Sequence, residues 1–298
     1  MKVLKLVTVL VLVLCACLGA LAGYVVYNMR MGPLIDETTE SLFAKRAKSP
    51  QKMTPNVVPP GRQSRQEPPD KMRVVHVPSG GLTMTAWVSD QAFVEDAKAP
   101  TLVYLHGGFA LDLSDYEVTE PFRTAGFVIM LPSVRGEMGN PGSFELLWGE
   151  LDDIAAQVRW LSKQPGVDAR NIFVLGHSAG GGLAALVSLV DDVPVRLTAS
   201  IGGLYPETVF LDWTFAPFDV LDRDARRLRV LHPHVKSMRR PHIAFVGAAD
   251  VHLLEFAVAM QDVVADHDLL SIRVVSGDHQ GSLVEGVQRF LAIAQTAP

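Results

Sequence analysis

The chain has 298 residues, 48% of them hydrophobic and 20% charged, with a net charge of −5, which is ample apolar material for one large domain with its own core. Residues 1–71 hold 10 Lys+Arg against 5 Asp+Glu, leaving 17 against 27 for residues 72–298. A main body this acidic excludes a nucleic-acid binder, because phosphates demand a basic face.

At the front, residues 6–27 carry no charge and are almost all apolar. A helix of that length, rising about 1.5 Å per residue, spans a bilayer core of about 30 Å. Lys2 and Lys5 precede it, the short basic start of a signal or anchor. Residues 1–29 are therefore predicted to be an uncleaved membrane anchor, with the rest of the chain outside the cytoplasm. Two other readings stand: a signal cleaved after Ala20-Leu21-Ala22, giving a secreted protein, and a lipoprotein signal ending at Cys17. The two cysteines, Cys15 and Cys17, both lie in this segment. Beyond it the chain has no disulfide, no thiolate nucleophile and no cysteine-ligated metal.

Residues 30–71 lack apolar periodicity and hold seven prolines, from Pro33 to Pro69. Proline removes backbone donors and biases its neighbours toward extended conformations. This stretch is predicted to be a mostly unstructured linker with one short helix near residues 36–44.

From residue 72 the pattern changes to short runs rich in Val, Ile, Leu and Phe. Residues 72–77 and 82–88 flank Ser79-Gly80-Gly81 and read as an antiparallel hairpin. Further strands are predicted over 101–105, 127–131, 171–175, 197–201, 242–246 and 271–275. Near-continuous apolar runs of this kind suit strands buried on both faces of a parallel sheet. Residues 145–163 read as a helix, with Leu147, Leu151, Ile154, Val158 and Leu161 on one side and Pro165-Gly166 as its stop. The prediction is an α/β domain over 72–298, with a mostly parallel eight-stranded sheet covered by helices on both faces.

The chemistry concentrates at Gly176-His177-Ser178-Ala179-Gly180. It follows an apolar run and leads into Gly181-Gly182-Leu183-Ala184-Ala185, so it sits on a strand, a sharp turn and a helix, the setting of a nucleophile elbow. The helix N-terminus behind Ser178 offers backbone N–H groups and the positive end of a dipole to a developing oxyanion. His106-Gly107-Gly108 ends the run 101–105 and presents a second loop. The candidate oxyanion donors are the N–H of Ala179 and that of Gly108 or Phe109.

A serine nucleophile needs a base, and the base needs an orienting acid. His279 lies in a polar loop after the last predicted strand, where a base facing Ser178 has to be. Asp250 follows the strand over 242–246 at the same sheet edge and is the predicted orienter. Asp278, its rival, is adjacent to His279, and adjacent side chains on an extended loop diverge. His252 is the rival base.

The order of His106-Gly107-Gly108, Arg135-Gly136, Gly176-His177-Ser178-Ala179-Gly180, Asp250 and Gly277-Asp278-His279 resembles the α/β-hydrolase superfamily. With Trp148-Gly149-Glu150-Leu151-Asp152-Asp153 ahead of the elbow, it is similar to the prolyl-oligopeptidase and dienelactone-hydrolase-like serine hydrolases. The resemblance implies an acyl-enzyme route through Ser178, Asp250 and His279 on a small-molecule acyl substrate such as a carboxylic ester. A peptidase, an acyltransferase on the same site and a non-catalytic binding protein of this fold remain as alternatives.

Residues 202–240 form a lid-sized insertion whose Tyr205, Phe210, Trp213, Phe215 and Phe218 either shape an acyl pocket or pack the insertion onto the sheet. Arg223, Arg226, Arg227 and Arg229 are predicted to line a solvated helix face. Neither metal nor cofactor is predicted. His232-Pro233-His234 lacks the i, i+4 helical spacing of a metal pair, and Gly180-Gly181-Gly182 lacks the lysine of a phosphate loop.

Overall fold

The computed structural model describes residues 18–19, 35–36, 38–95, 98–265 and 267–296. The predicted membrane segment lies outside the described residues except for Leu18 and Gly19, and no helix among the described residues is long and apolar enough to cross a membrane.

The hairpin forms as its sequence requires. Strand β1 (Met72–Ser79) pairs antiparallel with β2 (Leu82–Ser89), and Ser79 faces Leu82. The two residues between them, Gly80 and Gly81, both have positive φ, the conformation that a tight hairpin turn demands. Strands β3 (Ala99–Leu105), β4 (Val128–Pro132), β5 (Val167–His177), β6 (Leu197–Ile201), β7 (His242–Gly247) and β8 (Leu270–Val275) complete one sheet. Its order is β1-β2-β4-β3-β5-β6-β7-β8. The β1–β2 and β2–β4 pairs are antiparallel and all others are parallel. The chain reverses its direction of travel across the sheet between β3 and β5. Such a switch point opens a crevice at the carboxyl ends of its two strands, here Leu105 and His177.

Alternation along the strands feeds two cores. Val103, Leu105, Ile172 and Val174 face one layer, while Leu102, Tyr104, Phe173 and Leu175 face the other. On the first face lie helices α4 (Gly149–Leu161), α5 (Ser178–Val187) and α7 (Val251–Ala265). The opposite layer is made by α2 (Leu113–Val118), α3 (Glu120–Thr124) and α8 (Ser282–Thr296), with Phe122, Val287 and Phe290 buried among it. One short helix, α1 (Leu42–Lys48), precedes the sheet, and α6 (Arg223–Arg227) sits in the insertion.

Three expectations need correction. Helix α4 begins at Gly149 and not at residue 145. The Glu150 carboxylate accepts from the N–H groups of Glu145, Leu146 and Trp148 at 2.8, 3.1 and 3.1 Å. It thereby offers them an alternative to helical bonding and holds Leu146 and Leu147 at positive φ, a conformation that costs a leucine roughly 1–2 kcal/mol.

Residues 38–71 are not a loose tether but a strap laid along the domain. Ser41 caps α1, whose Leu42 is fully buried. The Arg46 guanidinium donates to the carbonyls of Leu147 (2.8 Å), Trp148 (3.0 Å) and Leu228 (2.9 Å) and stacks on the Trp148 ring. Further along, Thr54 N–H donates to Pro217 O at 2.7 Å, and Met138 N–H donates to Arg62 O at 2.8 Å. The prolines keep the strap extended, and isolated arginines fasten it. Composition alone registers only the first of these.

The insertion's arginines are likewise not a solvated face. Arg226, Arg227 and Arg229 are all buried, Arg229 completely. Arg227 pairs with Asp36 and Glu207, and Arg229 donates to the carbonyls of Leu146 and Ala225.

Candidate active site

The elbow forms because β5 runs straight into α5 with no linker between them. Ser178 takes φ of 52°, a left-handed conformation that costs a non-glycine residue about 1–3 kcal/mol and persists where surrounding packing enforces it. Glycine supplies that packing. A Cβ on Gly176 would collide with the carbonyl of Gly180, and one on Gly180 would collide with the carbonyls of Leu105 and His106. Gly176 lets the helix start fold tightly back on the strand, and Gly180 lets the turn press against the end of β3. Ser178 is half-buried and stands at the first turn of α5, whose leading N–H groups have no acceptor within the helix.

Asp250 and His279 meet at the same sheet edge. Asp250 leaves β7 and enters α7, while His279 leaves β8 ahead of α8. Two backbone bonds, Ala248 N–H to Val275 O (2.8 Å) and Ala249 N–H to Gly277 O (2.9 Å), hold the two loops together. His279 Nδ1 lies 2.8 Å from Asp250 Oδ2. A carboxylate can only accept, so Nδ1 carries a proton, and in the neutral ring Nε2 keeps its lone pair. Asp250 is the less exposed partner, at 11% against 39% for His279. The rivals sit elsewhere: Asp278 turns away and accepts from Gly281 N–H at 2.8 Å, and His252 is exposed at the start of α7. Among the described residues the Ser178 hydroxyl makes no hydrogen bond to His279, whose ring is bonded to Asp250.

Sequence reasoning passed over His177 as a functional position. Its Nε2–H donates to the carbonyl of His279 at 3.0 Å, and the two rings lie 5.0 Å apart. Burial pushes its pKa down, so it stays neutral and serves as a strut between the elbow and the His279 loop. Its place before Ser178 was the available signal.

The loop after β3 carries Gly108, with φ of 66°, and Phe109. Behind it His106 Nε2 lies 3.1 Å from Glu137 Oε1. Glu137 is fully buried and also accepts from Leu111 N–H (2.7 Å) and Val134 N–H (3.1 Å). Burial alone would depress the His106 pKa, but the facing Glu137 carboxylate outweighs it and raises the value to about 9. His106 is thus an imidazolium at neutral pH, donating to Glu137 and to Gly107 O at 3.0 Å. Nothing in the spacing of the two residues announces this pair.

Of the insertion's aromatics, Trp213 and Phe215 reach this loop, edge-on to Phe109 with centroids 6.2 and 5.8 Å away. Phe210 and Phe218 are buried against each other within the insertion, while Tyr205 fastens it to the sheet layer through Ser200 of β6 and Phe256 of α7. A cleft partly open to solvent lies between the loop, α4, α5 and Trp213. Its wall includes Gly108, Phe109, Ala179 and Gly180, so it adjoins every candidate oxyanion donor.

A family model described as the alpha/beta hydrolase fold matches residues 149–225, from α4 through the elbow into the insertion. No curated protein matches the sequence significantly. Among solved structures the chain is similar to a puromycin-hydrolysing peptidase of Mycobacterium tuberculosis, at 20% identity and a TM-score of 0.58 over 76% of this chain and 41% of that one. It is also similar to an esterase of Pyrococcus furiosus, at 16% identity and a TM-score of 0.59 over 80% and 96% of the two chains. A third likeness is to one of two prolyl endopeptidases, at 18% identity and a TM-score of 0.57 over 75% and 38%. The chain spans about two fifths of the length of these peptidases and nearly the whole of the esterase. With the sheet order and the strained serine turn, these likenesses make the chain an α/β-hydrolase-fold protein.

Proposed function

We propose that the chain is a serine hydrolase that cleaves a carboxylic ester or related acyl bond through an acyl-enzyme intermediate. The single observation that carries the reading is the 2.8 Å bond from His279 Nδ1–H to Asp250 Oδ2, which leaves Nε2 as a base at the sheet edge where Ser178 is held in its strained turn. His279 Nε2 takes the Ser178 proton as Oγ bonds to the acyl carbon. The resulting oxyanion is met by the N–H of Ala179 and that of Gly108 or Phe109. The imidazolium then protonates the leaving alcohol or amine as its bond to the acyl carbon breaks. Water, deprotonated by the same nitrogen, releases the acid and restores Ser178.

The cleft beside the donors supports a small-molecule acyl substrate, and the near-complete overlap with an esterase favours ester hydrolysis. The peptidase likenesses motivate the second reading, a peptidase on the same site. The apolar run over 6–27 motivates the further proposal that the enzyme is membrane-anchored with its catalytic domain outside the cytoplasm.

The deciding experiment is turnover of p-nitrophenyl esters and aminoacyl amides by the parent and by Ser178→Ala. The reading expects ester turnover by the parent and a loss of several orders of magnitude in the variant. Equal rates would overturn it, and turnover of amides alone would select the peptidase reading.

A further inference from the structure

Two residues of the cleft wall, Arg62 and Trp213, each carry a buried donor without a partner. The strap's Arg62 has only 3% of its surface exposed. Its Nη1 donates to Phe109 O at 2.9 Å and its Nη2 to Arg135 O at 2.8 Å, while Glu150 stands 3.6 Å away as countercharge. The ring of Phe144 lies 4.4 Å beneath the guanidinium. Its Nε–H is buried and unbonded, and so is Nε1–H of Trp213. Arg62 and Trp213 both lie on the cleft wall, whose other side chains are mostly apolar: Leu105, Val134, Phe144, Leu146, Ile154 and Leu183 among them. An unmet donor in such surroundings is costly, and a few polar groups on an otherwise apolar wall are what give a pocket its specificity.

We infer that the cleft is the acyl pocket and that it selects short acyl groups bearing an uncharged oxygen acceptor away from the scissile carbonyl, such as an oxo or alkoxy acyl group, received by Arg62 Nε–H and Trp213 Nε1–H. The inference rests on the hydrolase reading and adds the substrate class to it. The Glu150 carboxyl beside Arg62 offsets the guanidinium charge, so the wall offers donors rather than a net positive charge to an anionic acyl terminus. The enclosed part of the cleft is small, which favours a short chain. Because Arg62 also holds the Phe109 carbonyl, a strap residue links acyl recognition to the oxyanion loop.

The test compares p-nitrophenyl 4-oxopentanoate with p-nitrophenyl 4-methylpentanoate, which replaces the acceptor oxygen by a methyl group of similar size. The parent should favour the oxo ester at least tenfold in kcat/KM, the factor that about 1.4 kcal/mol of hydrogen bonding supplies. Trp213→Phe removes one donor and keeps an aromatic ring, so it should lose most of the preference, read as the ratio of kcat/KM on the two esters within each protein. Arg62→Met should lose the preference too and in addition lower kcat on both esters, as the Phe109 carbonyl is released; where that variant fails to fold, Trp213→Phe carries the test alone. Equal rates on the two esters in the parent, or a preference unchanged in Trp213→Phe, would overturn the inference and leave the hydrolase reading standing. Absence of turnover of either ester together with absence of fluorophosphonate labelling at Ser178 would overturn both.

Discussion

Replacing Glu137 by Gln should change the way stability depends on pH more than it changes the fold. The carboxylate is fully buried against His106 and holds its pKa near 9 against 6.5 in the unfolded chain. That difference corresponds to on the order of 3 kcal/mol of stabilisation. The folded value lies above the unfolded one, so the stabilisation is complete below pH 6.5 and drains away as the pH climbs through 9. Other buried histidines do not blur this window. Burial lowers the pKa of His177, His232, His234 and His242, so their contributions change only below about pH 6.5. Glu137 itself is held below its usual range, since the charge of His106 outweighs its burial, and it stays ionised throughout. In Glu137→Gln the side-chain amide can donate to a neutral His106 Nε2, so no charge is left stranded and the domain should still fold. Urea unfolding between about pH 6.5 and about pH 9.5 is the assay. The parent should lose about 3 kcal/mol across that range, or roughly 6–12 °C in Tm for a domain of this size, while the variant should be nearly flat. Parallel curves for the two proteins would refute the assignment of the imidazolium to His106.

Asp250→Asn should lower kcat by about 10⁴-fold with little change in Tm, because an amide facing His279 Nδ1 favours the wrong tautomer. Asp278→Asn, at a position that only caps Gly281, should stay within a few fold of the parent, and the reverse order would exchange their roles. Gly180→Ala should destabilise by about 1–3 kcal/mol or more in thermal melts, since its Cβ meets the backbone carbonyls of Leu105 and His106; an unchanged Tm would show that the elbow is looser than described. A chain beginning at Lys71 loses the Arg46 and Arg62 forks, each worth about 1.5–3 kcal/mol as hydrogen bonds from a charged group. It should melt roughly 6–24 °C below the full chain and turn over esters more slowly, and equal stability would show that the strap is dispensable.

What the sequence disclosed and what it concealed divide along a physical line. Strands buried on both faces announce themselves as unbroken apolar runs, so all eight were legible to within a few residues. The elbow was legible because strand, turn and helix are contiguous from Phe173 to Leu186 and the chemistry of the turn needs glycine at fixed offsets. Asp250 and His279 followed from their places at strand ends. The strap was not legible, because Arg46 finds its acceptors at Leu147 and Leu228, far along the chain, and a lone arginine among prolines has the composition of a linker. Buried Arg226, Arg227 and Arg229 misled in the same way. Their alternation with Asp222 and Asp224 imitates a solvated face, while burial depends on partners such as Asp36 and Glu207 that the local pattern does not contain. The late start of α4 depends on one buried carboxylate, Glu150, which redirects N–H groups that periodicity assigns to the helix.

The central claim is that Ser178 is an activated nucleophile, and covalent capture tests it most directly. The full chain is treated with a fluorophosphonate, and intact mass with peptide mapping locates any adduct. The account predicts one phosphonyl group per chain, on the peptide containing Ser178, with labelling slowed by several orders of magnitude in Asp250→Asn and in His279→Ala and abolished in Ser178→Ala. An unlabelled chain, or an adduct that persists in Ser178→Ala, would contradict it.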